Sequence, residues 1–64
     1  MPVVTIQMWE GRTTDQKRAL VRAVTDAMVE HAGAKSDALH VIIQEYPLEN
    51  WALGGALGID RDGA

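Results

Sequence analysis

One helical period, capped at both ends and flanked by two strand-like runs, takes up most of this 64-residue chain and limits what it can fold into. Thr13 reads as an N-cap, and Gln16 three residues on completes a capping box. Asp15 in the first turn suits the positive end of the helix dipole. Leu20, Val24, Ala27 and Met28, with Ala23 and Ala32, recur at helical spacing, while Arg18, Arg22, Asp26 and Glu30 lie largely off that stripe. Gly33 fits a C-terminal cap. The spacing predicts a helix over about 14–32.

Val3 to Trp9 (VVTIQMW) is β-branched and aromatic with few breakers, so it reads as a strand, closed by Glu10-Gly11-Arg12. Ala38 to Glu45 (ALHVIIQE) reads as a second strand, with Leu39, Val41 and Ile43 on one face and His40, Ile42 and Gln44 on the other. A strand, a long helix and a strand imply parallel pairing through a right-handed crossover. Tyr46 to Asn50, with Pro47, reads as a turn region; Glu45 and Glu49 flank the loop and read as solvated acids. Trp51-Ala52-Leu53 is a short apolar piece, and Gly54-Gly55 permits a hairpin. The predicted class is α/β (α+β): a single β-α-β unit with parallel strands plus a short C-terminal hairpin. Residues 1–64 form one domain, with 59–64 as a frayed tail.

Such a unit cannot cover its own apolar faces. Two strands are marginal even beneath a helix, and both expose an edge. The chain contains no cysteine, so no disulfide can staple it. Edge-to-edge pairing of two protomers gives dimers with four-stranded sheets and helices on one face. The opposite face still carries Ile42, with Val4 or Ile6, and further assembly of dimers would bury it. His31 and His40 lack a carboxylate motif beside them, so neither a metal site nor a cofactor is expected. The net charge of −3 with dispersed basic residues argues against a nucleic-acid partner. No apolar run reaches transmembrane length and no basic-then-apolar leader is seen, so a cytoplasmic protein without a membrane partner is expected.

Pro2 carries the chemistry. A small side chain after the initiator favours removal of Met1, which leaves a prolyl secondary amine at the N-terminus. Such an amine is a competent base, and burial or a nearby cation lowers its pKa towards neutrality. The nitrogen of an internal proline is an amide and offers none of this.

Pro2, the strand ending in Glu10-Gly11-Arg12, Asp15-Gln16-Lys17 at the helix start, Val41-Ile42-Ile43-Gln44-Glu45, and Asn50-Trp51-Ala52-Leu53-Gly54-Gly55 occur in that order from Pro2 to about Gly55. In this the chain resembles the tautomerase superfamily, specifically its short 4-oxalocrotonate tautomerase-like (2-hydroxymuconate tautomerase) members. The resemblance implies a cofactor-independent isomerase that converts small 2-hydroxy-dienoates or 2-oxo acids between enol and keto forms, as in aromatic degradation. It implies a hexamer, a trimer of dimers. Pro2 would be the general base and Arg12 would bind the carboxylate of a small-molecule substrate. Trp51, and with it Trp9, would line an apolar pocket.

His40 departs from the family pattern, which has a second arginine there. Histidine can donate a hydrogen bond to developing enolate charge, but it cannot form arginine's bidentate fork with a carboxylate. Pro2, Arg12 and His40 are therefore the candidate catalytic residues. Two alternatives stand beside the tautomerase reading. One is hydration, dehalogenation or decarboxylation, in which Glu10, Glu45 or Glu49 activates water. The other is a subunit of a mixed assembly with little activity alone, whose partner supplies the missing arginine.

Overall fold

The computed structural model describes residues 2–61. Strand β1 (Val3–Trp9) leads into helix α1 (Thr14–Ala32), which returns the chain to β2 (His40–Tyr46), parallel to β1. The pairing runs without a slip from Val3 opposite His40 to Trp9 opposite Tyr46. A 3-10 turn (Leu48–Asn50) then leads into β3 (Ala52–Leu53) and β4 (Ala56–Leu57), which pair antiparallel. Only Gly54 and Gly55 separate these strands, at φ 61° and 84°. Two successive left-handed residues make the type I′ hairpin turn, which glycine adopts without a Cβ clash.

The helix begins and ends where its caps require. The Gln16 amide donates to Thr13 Oγ1 at 3.1 Å, and the Thr13 amide donates to Gln16 Oε1 at 2.8 Å. At the other end Gly33 is left-handed, and the Ala34 amide reaches back to the Met28 carbonyl at 3.2 Å. The half-buried stripe is Lys17, Leu20, Val21, Val24, Thr25 and Met28. Ala23, Ala27 and Ala32, which the sequence pattern assigns to the stripe, are exposed. Turning Val21 and Thr25 inward removes more apolar surface from water than turning alanines inward.

On the sheet, Val4, Ile6, Met8, Val41 and Ile43 are half-buried and Val3, Thr5, Gln7, His40, Ile42 and Gln44 are exposed. Ile42 therefore shares the open face with Val3, not with Val4 or Ile6 as expected. β2 starts two residues later than predicted because the Ala38 amide closes a turn on the Lys35 carbonyl at 3.0 Å. It ends one residue later because Tyr46 pairs with Trp9. Glu45 is not a solvated acid: it is half-buried and paired with the Lys17 ammonium, which ties the first turns of α1 to the end of β2.

Among the described residues no apolar side chain is fully buried, and Val3, Ile42, Leu53 and Ile59 are 48%, 45%, 61% and 58% exposed. The chain's accessible surface is 4847 Å², where a compact monomer of its mass would show about 4,000 Å². Its radius of gyration is 14.6 Å, against about 11 Å for a compact domain of this length. No helix of the described residues is long and apolar enough to cross a membrane. Ile59 and Asp60, assigned from sequence to the tail, belong to a second 3-10 turn (Gly58–Asp60). That turn is held by the Arg61 amide on the Gly58 carbonyl and the Arg61 guanidinium on the Leu53 carbonyl, each at 3.3 Å. Residues 62–64 lie outside the described residues.

Gly58 is buried, and its amide donates to the Trp51 carbonyl at 2.7 Å. A Cβ there would lie 3.1 Å from both the carbonyl oxygen and Cδ2 of Leu48. The carbonyl cannot swing away as a side chain can. Gly58→Ala should therefore destabilise the protein by about 1–3 kcal/mol, read from the midpoint of chemical denaturation. An unchanged midpoint would mean that the hairpin shifts freely.

Candidate active site

The parallel sheet sorts the candidate residues into two groups. Pro2 and His40 sit together at the start of both strands, where the His40 amide donates to the Pro2 carbonyl at 3.0 Å. Pro2 is half-buried and borders a surface hollow whose walls include Met28, Ala34, Lys35 and Ala38. His40 is exposed on the open face of the sheet.

Arg12, Trp9 and Trp51 gather at the other end. The Arg12 guanidinium donates through Nη1 to the Trp9 carbonyl at 3.0 Å, which anchors one edge of the fork while the residue stays exposed. Trp9 and Trp51 meet edge to face, with ring centroids 6.2 Å apart and planes at 85°. The Trp9 indole Nε1 is sealed from solvent with no hydrogen-bond partner. Trp51 is placed by its backbone. Its amide donates to the Leu48 carbonyl at 3.4 Å, and its carbonyl accepts from Gly58.

From Pro2 to Trp9 the strand advances by about 23 Å, at about 3.3 Å per residue. A single chain therefore does not bring Pro2 and Arg12 to one substrate. Each end of the sheet carries half of the candidate set: Pro2 and His40 at one end, Arg12 with Trp9 and Trp51 at the other.

One member of the second group was missed from sequence. The Tyr46 ring lies 6.0 Å from Trp51, tilted by 55°. The signal was available in principle, since laying the two strands in parallel register makes Tyr46 the rung partner of Trp9. The acids offered for water activation fare differently. Glu45 turns towards the helix and is engaged by Lys17, while Glu10 and Glu49 are exposed. No cluster of three or more His, Asp or Glu side chains that could hold a metal ion occurs among the described residues. Another surface hollow, bordered by Arg18, Arg22 and Asp26, runs along the helix and holds none of the candidate residues.

The sequence model of the family described as "Tautomerase enzyme" matches residues 2–60, opening on Pro2. The 2-hydroxymuconate tautomerase of Pseudomonas putida is 47% identical over 55 residues, covering 86% of this chain and 87% of that protein. Among solved structures, YwhB, a homologue of 4-oxalocrotonate tautomerase, superimposes with a TM-score of 0.90 at 41% identity over 95% of this chain and all of that one. A heterohexameric 4-oxalocrotonate tautomerase from Chloroflexus aurantiacus gives a TM-score of 0.88 at 35% identity, covering 94% of this chain and 97% of the other. With a motif order that runs from Pro2 to about Gly55 and a family match that runs on to the C-terminal turn, the chain belongs to the tautomerase family and is an isomerase of the 4-oxalocrotonate tautomerase type.

Proposed function

We propose that the chain is a cofactor-independent enol–keto tautomerase of small 2-hydroxy-dienoates or 2-oxo acids, with the Pro2 amine as general base once Met1 is removed. The amine takes the proton of the 2-hydroxyl. The oxygen's electron pair forms the carbonyl, the conjugated double bonds shift, and the protonated amine returns the proton to a carbon of the chain. Enol and keto forms are isomers, so nothing else is consumed. Arg12 holds the substrate carboxylate, His40 donates to the oxygen as charge develops, and Trp51 with Trp9 keeps water from the reacting atoms.

The observation that carries this reading is the division of the site between the two ends of the sheet. A two-fold pairing of sheet edges runs two protomers antiparallel and sets the Pro2 end of one beside the Arg12 end of the other. Edge pairing also covers the exposed strand edges. Stacking such dimers through the open face would bury Val3 and Ile42, and a hexamer, a trimer of dimers, does both. A water-adding reaction is less well supported, because Glu45 is held by Lys17 on the helix side. A mixed assembly is a real second reading, because the Chloroflexus neighbour is a heterohexamer. In that case a partner chain would supply an arginine where this one has His40.

Three outcomes are expected. Protein with Met1 removed, verified by intact mass, should turn over phenylenolpyruvate or 2-hydroxymuconate, and protein retaining Met1 should be essentially inactive. Pro2→Ala keeps a primary amine and should retain partial activity. Equal rates with and without Met1 would remove Pro2 from the mechanism.

Sedimentation equilibrium of the chain alone at micromolar concentration should show an assembly larger than a dimer. A folded monomer with a cooperative melt would contradict the divided site. A hexamer without activity would favour the mixed assembly.

His40→Arg restores a bidentate partner for a second carboxylate. It should raise kcat/KM for 2-hydroxymuconate over that for phenylenolpyruvate by about tenfold or more. An unchanged ratio would make His40 an interface residue.

A further inference from the structure

The chain contains two tryptophans, one tyrosine and no phenylalanine, and all three rings meet in one cluster beside Arg12. A small domain short of core would ordinarily distribute its largest apolar side chains beneath the helix. Here that interface is filled by aliphatic side chains, and the whole aromatic complement stands at the end of the sheet. Trp9 and Tyr46 form the last rung of the parallel ladder, and Trp51 comes from the following turn to lie against both.

The backbone of Trp51 is pinned by two hydrogen bonds, but these do not set the angle of its ring. Its ring neighbours do. Trp9 meets it nearly perpendicular from one side. Tyr46 meets it from another and is itself tied: its hydroxyl donates to Gln44 Oε1 at 3.2 Å, and the same oxygen accepts from Gln7 Nε2 at 3.1 Å. Gln7 and Gln44 are also rung partners. A polar cross-strand ladder thus ends on a phenol that braces the Trp51 indole.

We propose that Tyr46 is a specificity-determining positioning residue. It fixes Trp51 so that three mutually inclined rings form a braced apolar wall beside Arg12, and the wall selects carboxylates with a planar aryl tail over those ending in a second carboxylate. This rests on the reading of Arg12 as the carboxylate holder. A flat π-system gains contact area and favourable ring geometry against such a wall. A second carboxylate placed there would lose water without gaining a partner. Of the cations flanking the cluster, Lys17 is engaged by Glu45, Arg18 by Asp15, and the Arg61 guanidinium by the Leu53 carbonyl.

The test is binding of two unreactive acids, 3-phenylpropanoate and hexanedioate, to the assembled protein by calorimetry, together with kcat/KM on phenylenolpyruvate and 2-hydroxymuconate. The wild type should bind 3-phenylpropanoate more tightly. Tyr46→Leu, which removes the ring, should lower that preference by about fivefold, within the range measured for aromatic pairs. Tyr46→Phe, which keeps the ring and cuts the tether, should lower it by only about twofold and so largely restore it. The preference is a ratio, so a general loss of folded protein cancels. Should Tyr46→Leu fail to fold, the smaller drop in Tyr46→Phe carries the test. A wild type that binds neither acid or prefers hexanedioate overturns the proposal, and so does an unchanged preference in the variants. The aryl preference without any turnover supports the wall and sinks the tautomerase mechanism. Turnover of both substrates without the aryl preference sinks the wall alone.

Discussion

Seven rungs of parallel pairing, from Val3 against His40 to Trp9 against Tyr46, hold the rest of the molecule in place. Side chains alternate along a strand, so a slip of β2 by one residue would turn His40, Ile42 and Gln44 towards the helix and expose Val41 and Ile43. The register also decides what meets at each end. At the start of the strands it brings His40 to Pro2, and at their finish it makes the platform on which Trp51 rests. The length of β1 is the cause of the division, since Pro2 precedes it and Arg12 follows it. Parallel pairing then adds His40 to the first group and Tyr46 to the second.

The helix fixes this register from above. Its two caps set its length, and that length returns the chain to the sheet at the right height. The Lys17–Glu45 pair fastens the first turns of the helix to the end of β2. A half-buried ion pair contributes little net stability by itself, yet it disfavours alternative placements that would leave either charge covered and alone. What the fold lacks is depth. With no apolar side chain fully buried among the described residues, the layer between helix and sheet is only half of a core.

The parts of the fold legible in the sequence were those set by local chemistry. Thr13 and Gln16 mark the start of the helix and Gly33 its end, because capping depends on residue type at fixed spacing. Gly54-Gly55 marks the hairpin for the same reason. Where two solutions satisfied the same period, the sequence did not decide between them. Alanine and valine both fit the helical stripe, and only contact with the sheet chose Val21 over Ala23. Val3 and Val4 both fit the strand, and only the helix above showed which of them it covers. The candidate residues were recognisable from the order of motifs. The place of His40 beside Pro2, and the membership of Tyr46, depend on pairing over long sequence separation, which no local pattern encodes.

The aromatic cluster also determines how the protein interacts with light. Every near-ultraviolet chromophore of the chain, both indoles and the single phenol, belongs to one cluster in which Trp51 meets each of the other two rings. Absorption, emission and near-ultraviolet dichroism therefore report on a single locality and carry almost nothing from the helix or the far end of the sheet. Two indoles held nearly perpendicular at 6.2 Å are close enough for their transitions to couple. The intrinsic spectrum of this molecule is in effect that of the Arg12 end of its sheet, with the fold supplying a built-in local probe.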